Sequence, residues 1–159
     1  MKKLLVLVAL FAITFTQYGF AQENAKQAQL SQLLTNYYTI KNALVAGKAT
    51  EAATGAAAFI KTSNSIDYKL ISEGNISKLV KDAGNISGTK DIEKQRKYFS
   101  NLSSNMAAIA KALKLSDQPV YQAYCPMKKS VWLSNEKAIK NPYYGSAMLT
   151  CGEVTETFQ

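Results

Sequence analysis

From Leu30 onward, apolar residues recur at alternating steps of three and four: Leu30, Leu33, Tyr37, Ile40 and Leu44, with Leu34, Tyr38 and Val45 widening the stripe. That spacing keeps one face of a 3.6-residue helix apolar, and Gly47, tolerant of a left-handed backbone, is where such a helix would stop. Thr50 stands where an N-cap would open a second helix. That helix carries Ala52, Ala53, Ala56, Ala57 and Ala58 before Phe59 and Ile60, so a neighbouring backbone can approach its small face, although Gly55 costs about 1 kcal/mol relative to alanine. Thr62 to Ser65 read as a polar loop. Ile66, Leu70, Ile76, Leu79, Val80 and Ala83 then predict a third helix, with Gly74-Asn75 as a break point inside it. The fourth is the clearest, from about Lys90 to Leu113: Phe99, Leu102, Met106, Ile109 and Leu113 keep the rhythm, Thr89 can cap it, and Asp91 and Glu93 put acid at the positive end of its dipole. Met106 falls in the stripe and is expected in the core, where methionine fills gaps between helices.

After Ser116-Asp117-Gln118-Pro119 the texture changes. Val120 to Tyr124 has the composition of a short strand, as does Glu153 to Phe158, with Val154 and Phe158 on one side. Between them, Asn141-Pro142-Tyr143-Tyr144-Gly145 carries strong turn chemistry, because proline fixes φ and glycine accepts a positive one. The expected fold is all-α: a four-helix, mostly antiparallel bundle with a small irregular or β-hairpin module over residues 120–159. Trp132 is expected to plug that module onto the bundle.

The N-terminus changes the chemical setting. Lys2 and Lys3 precede an apolar stretch, Leu4 to Phe15, and Gly19-Phe20-Ala21 offers small residues for cleavage, so residues 1–21 are expected to be a secretory signal peptide. The apolar run is shorter than the about 20 residues a spanning helix needs, and no membrane insertion is expected once it is removed. The remaining part, about 138 residues, suits one domain with its own core, exported and periplasmic. Nineteen basic against 11 acidic residues give a formal charge of +8, but the lysines are scattered singly, which argues for a solvated surface rather than for nucleic acid.

Both cysteines lie in the last third of the chain, each near a methionine: Cys125-Pro126-Met127 and Met148-Leu149-Thr150-Cys151. Thiolate with thioether is a soft donor set, suited to Cu(I) or Ag(I). An even cysteine count in an exported protein equally suits a Cys125–Cys151 disulfide, and closing a loop of about 27 residues would contribute about 3 kcal/mol. Both readings stay open and can coexist, because oxidation would remove both thiolates. Catalysis is not expected. The chain has no histidine to serve as a base for a nucleophilic cysteine. Glycine-rich phosphate loops are absent. Lys128, Lys129 and Glu153 are expected to be solvated. Arg96, the only arginine, suggests a planar fork tying the fourth helix to the C-terminal module through carbonyl oxygens or a carboxylate. Tyr143 and Tyr144 suit aromatic plugs.

Tyr124-Cys125-Pro126-Met127, Trp132-Leu133-Ser134, Ile139 with Asn141-Pro142-Tyr143-Tyr144-Gly145, and Met148 to Val154 together resemble the bacterial family catalogued as domain of unknown function 3347. Asp91-Ile92, Gln95-Arg96, Phe99 and Leu102-Ser103 resemble its helical part. Members occur as stand-alone exported proteins and as domains attached to periplasmic adaptors of heavy-metal efflux pumps. The resemblance therefore implies a metal-handling accessory protein, working with a heavy-metal efflux complex or another envelope protein. This chain lacks the adaptor's hairpin and barrel portions, so it is not expected to be the adaptor itself. The alternative is a non-metal interaction domain, held by the disulfide, that docks on an envelope complex.

Overall fold

The structure is a computed structural model that describes side chains for residues 24–159. The expected signal segment, residues 1–21, lies outside that range. Four helices come first: α1 (Lys2–Val45), α2 (Ala49–Asn64), α3 (Glu73–Ser87) and α4 (Ile92–Ala112). Three strands follow: β1 (Val120–Cys125), β2 (Ser130–Ser134) and β3 (Glu153–Phe158), with one turn of 3-10 helix (Gly145–Met148) before the last. Each helix packs on the next in sequence, and α4 also packs on β2. Among the described residues no helix is long and apolar enough to cross a membrane.

The apolar stripes form the core as their spacing predicts. Leu33, Tyr37, Ile40 and Leu44 of α1, Phe59 of α2, Leu79 and Ile86 of α3, and Phe99, Leu102 and Met106 of α4 are all fully buried. Gly47 ends α1 at φ +71, with its own N–H bonded to the Leu44 carbonyl and the Lys48 N–H bonded to that of Ala43. Those two bonds satisfy carbonyls that the helix end leaves without partners. Gly55 sits where α2 presses on α1: a Cβ there would lie 3.2 Å from Thr39 Cγ2 and 3.5 Å from the Ile40 nitrogen. The close approach expected of the alanine-rich face occurs at this glycine.

Several expected boundaries are corrected. Thr50 does not cap α2, which already begins at Ala49 after Lys48. Thr62 to Asn64 are helical rather than loop, because the buried Ser63 hydroxyl bonds back to the Phe59 carbonyl and leaves no polar group stranded in the last turn. The third helix starts only at Glu73. Ile66 and Ile71 anchor the connection before it as buried side chains, and Gly74 falls in its first turn instead of splitting it. Asp91, not Thr89, caps α4, its carboxylate accepting from the N–H groups of Glu93 and Lys94. The Thr89 hydroxyl accepts from the Asp91 N–H and so holds the cap itself.

The C-terminal module is a three-stranded antiparallel sheet in the order β2-β1-β3, where an irregular segment or a hairpin was expected. The strand not anticipated is β2, Ser130-Val131-Trp132-Leu133-Ser134, too short and too polar at its ends to read as one alone. It is recruited by pairing, with Ala123 opposite Trp132 and Cys125 opposite Ser130. Strand β2 is also the edge by which the sheet docks on the helices. The Leu133 N–H donates to the Tyr37 hydroxyl at 3.1 Å, and the Tyr143 hydroxyl donates to the Val131 carbonyl. Two hydroxyls thus occupy main-chain groups that an edge strand would otherwise leave open. Beside them the Ser130 and Ser100 hydroxyls meet at 2.6 Å, and Lys41 donates to the Ser134 hydroxyl at 3.3 Å.

Trp132, 1% exposed, plugs this junction, with its ring edge-on to Tyr143 at 6.0 Å. Replacing it with alanine is expected to destabilise the fold by about 3–5 kcal/mol, measured as a fall in the urea unfolding midpoint. A midpoint equal to wild type would show that the sheet contributes nothing to global stability. Lys41 is fully buried, 5.6 Å above the Tyr38 ring, and its pKa is lowered to about 8, first by burial and further by Lys140, with Glu136 acting the other way. Below that value both folded and unfolded chains carry the ammonium and the full burial cost stands. Between about 8 and 10.5 the unfolded chain binds more protons than the folded one, so stability rises with pH. The Lys41→Met variant is therefore expected to have the higher urea midpoint at about pH 7 and to lose that advantage by about pH 10. A constant difference across that range would overturn the assignment.

Candidate metal centre

Cys125 ends β1, and Cys151 arrives two residues before β3 pairs with the other side of that strand. Antiparallel pairing of Tyr124 with Glu153 brings the two cysteines, 26 residues apart, to one end of the sheet. Their sulfurs stand 3.9 Å apart as free thiols, Cys125 buried and Cys151 half-buried. The four-residue turn from Pro126 to Lys129 joins β1 to β2 and closes with Lys129 at φ +55. One amide of this turn addresses the thiols: Lys128 N–H donates to Cys125 at 3.4 Å. The Cys151 thiol is raised above its ordinary pKa by desolvation first, then by its hydrogen bond and charge coupling with Cys125, while the Met127 amide pulls it down.

Met127 follows Cys125 by two residues and Met148 precedes Cys151 by three, and both are exposed, at 63% and 40%. With Leu149 they are three of the four exposed large apolar side chains in the described part, the fourth being Tyr68. Among the described residues no group of three or more His, Cys, Asp or Glu gathers into a site. Any ion held here would therefore rest on the two thiolates plus thioether or other neutral donors. That is a soft set.

Asn141 holds the second cysteine in place. It is fully buried, and all its polar groups are engaged: the side-chain NH2 donates to the Cys151 carbonyl at 2.7 Å, and the amide oxygen accepts from Tyr143 N–H at 2.8 Å. Its main-chain N–H donates to the Leu149 carbonyl at 2.8 Å, and its carbonyl accepts from Gly145 N–H at 3.0 Å. Pro142 and Tyr143 are buried behind it, and Tyr144 packs partly buried on the core. Tyr143 bridges Phe99 of α4, at 6.1 Å, and Trp132 of β2, and Phe99 in turn stacks on Tyr37 of α1 at 5.2 Å. Trp132 reaches the site directly. Gly152, at φ +140, lies so close that a Cβ there would meet the indole at 2.7 Å and the Tyr124 carbonyl at 2.8 Å.

Arg96 takes a different partner from the one expected. Its guanidinium donates to the Leu44 carbonyl at the end of α1, 3.2 Å, and to Glu93 on its own helix, 2.7 Å. Carbonyls in a last helical turn have no intrahelical donor and sit at the negative end of the dipole, so they draw the fork away from the module. The module meets Arg96 by contact instead. Gly145, at φ +55, rests against it so tightly that a Cβ would lie 2.5 Å from a guanidinium nitrogen and 2.9 Å from the Val45 carbonyl. Gln95, which the sequence marks only as part of the family's helical string, is fully buried, and its amide donates to the carbonyls of Ala49, Ile86 and Thr89. No periodicity marks it, since a polar residue beside an apolar stripe looks like any other helix surface position.

Four helices with a three-stranded sheet docked on them by one strand edge, and two thiols facing each other at the end of that sheet, define a small helical-bundle protein with a dithiol site. The chain belongs to the family described as Protein of unknown function (DUF3347), whose model matches residues 33–118. That stretch runs from within α1 through α4, including Asp91, Gln95, Arg96, Phe99, Leu102 and Ser103, and stops short of β1. Neither the curated proteins nor the solved structures yield a match.

Removing the Asn141 side chain leaves the Cys151 carbonyl and the Tyr143 N–H without partners. Asn141→Ala is expected to destabilise by about 1–3 kcal/mol and to speed alkylation of Cys151 in the folded protein. Timed labelling read by mass spectrometry, with the urea midpoint alongside, checks both. An unchanged labelling rate would remove Asn141 from the support of the site.

Proposed function

We propose that this protein is an exported, periplasmic accessory protein that binds one soft metal ion, Cu(I) or Ag(I), and serves heavy-metal homeostasis or efflux without catalysing a reaction. The observation that carries the reading is the approach of the Cys125 and Cys151 sulfurs to 3.9 Å at one end of the sheet. Two thiols that close, with exposed methionines two residues after one (Met127) and three before the other (Met148), suit a monovalent soft ion better than a hard one. The Lys128 amide donates to the Cys125 sulfur and helps to fix its position. The helices are read as a mostly antiparallel bundle whose role is to hold the sheet. An efflux complex or another envelope protein is the partner of this reading.

The same pair supports one alternative, a disulfide-stabilised interaction domain that binds no metal. Competition titration of the reduced protein against a Cu(I) chelator, under anaerobic conditions, separates the two. The expected result is one ion per chain with affinity lost in the Cys125→Ser, Cys151→Ser double variant. Affinity unchanged in that variant would sink the metal site, and no binding by the reduced wild type would leave the disulfide reading in its place.

A further inference from the structure

Resting on the proposal of a soft-metal site, we infer that the site is built for a bent, three-coordinate Cu(I) whose third donor is the thioether of Met127, and that it discriminates against Ag(I). The spacing of the sulfurs carries the first part. For a metal–thiolate bond of about 2.3 Å, two sulfurs stand about 4.6 Å apart across a linear ion, about 4.0 Å at a trigonal one and about 3.8 Å at a tetrahedral one. The observed 3.9 Å falls in the bent range and well short of the linear one. Both sulfurs are held where they are. Cys125 is buried on a paired strand, and Cys151 is fastened through its carbonyl to Asn141 and through its N–H to the Met148 carbonyl at 3.1 Å. Gly152, pressed on the Trp132 ring, gives the next residue no room to swing.

A bent pair of thiolates leaves the ion open on one side. Met127 is the side chain best placed to close it. It sits in the β1–β2 turn directly before the amide that donates to the Cys125 sulfur at 3.4 Å, with the Cys151 sulfur 3.9 Å beyond, so the root of this side chain lies beside the paired thiols. At 63% exposed, the side chain is not committed to the core and can fold over an arriving ion. Met148 approaches differently. Its carbonyl is already engaged by the Cys151 N–H at the end of the 3-10 turn, on the side of one cysteine only. Cu(I) accepts three soft donors in such an arrangement. Ag(I) is larger and favours a linear pair of thiolates, which this sheet end would have to open to provide.

X-ray absorption of the reduced protein loaded with Cu(I), together with chelator competition for Cu(I) and Ag(I), tests the assignment. Three sulfur neighbours are expected in wild type and two in Met127→Leu, with Cu(I) affinity of that variant lower by about tenfold or more and Met148→Leu close to wild type. Both variants keep an exposed apolar side chain, so folding is not at stake, and circular dichroism confirms it. Cu(I) bound tightly by two sulfurs in a linear arrangement, with Met127→Leu silent, would overturn the three-coordinate assignment while leaving soft-metal binding standing. Loss of affinity in Met148→Leu instead would overturn the choice of donor. Ag(I) bound as tightly as Cu(I), relative to matched chelators, would overturn the discrimination. Absence of any Cu(I) binding would fell the proposed function itself.

Discussion

Everything at the C-terminal end of this molecule depends on covering one edge of a short sheet. Strand β2 would otherwise present bare main-chain groups, and two hydroxyls supply what is missing: Tyr37 of α1 accepts from Leu133 N–H, and Tyr143, in the turn segment after β2, donates to the Val131 carbonyl. Burial raises both phenols far above their ordinary pKa, so they stay neutral and remain competent donors. The Tyr37 hydroxyl also shares a 2.7 Å bond with Ser103, which ties α1, α4 and β2 at one point. The stack of Phe99 on Tyr37 and the contact of Phe99 with Tyr143 give the same junction its apolar bulk. An edge satisfied in this way has a fixed register, and register is what decides where Cys125 ends up.

From that fixed edge the position of the thiols follows by two independent tethers. One is the β1–β2 turn, whose Lys128 amide donates to the Cys125 sulfur. The other is Asn141, which closes the segment leading to Cys151. The two tethers reach the sulfurs from opposite directions in the chain, and both ride on the docked sheet. The distance between the thiols is thus a property of the whole junction rather than of the cysteines alone.

Legibility in the sequence followed periodicity. The helical stripes were readable because each repeats over several turns: Leu33 through Leu44 and Phe99 through Met106 are buried as their spacing predicts. Met106 is core, as read. Helix ends were less readable, since Thr50, Thr89 and Asp91 all have capping side chains and only the geometry selects Asp91. Ile66 and Ile71 show the same limit, being apolar residues that anchor a connection yet count toward a helical pattern. Strand β2 was invisible because its five residues gain their extended form from Ala123 and its neighbours across the sheet. The two cysteines could be paired from composition alone, but not the support beneath them. The sequence shows Asn141 only as part of a turn, although its side chain reaches ten residues ahead. The sequence points Arg96 at the C-terminal module, whereas its guanidinium ties α4 to the end of α1.

The segment between Asn141 and Cys151 is closed at its base by the bonds of one asparagine, while residues 146–150 at its tip are all exposed. A loop shut at the neck and free at the tip is insulated from the rest of the fold. Changes of sequence or length at the tip need not be transmitted to the strands. Here the protein has a place where natural variation can alter the surroundings of the thiols, their shielding or their affinity for a neighbour, while the sheet that spaces the sulfurs is left as it is.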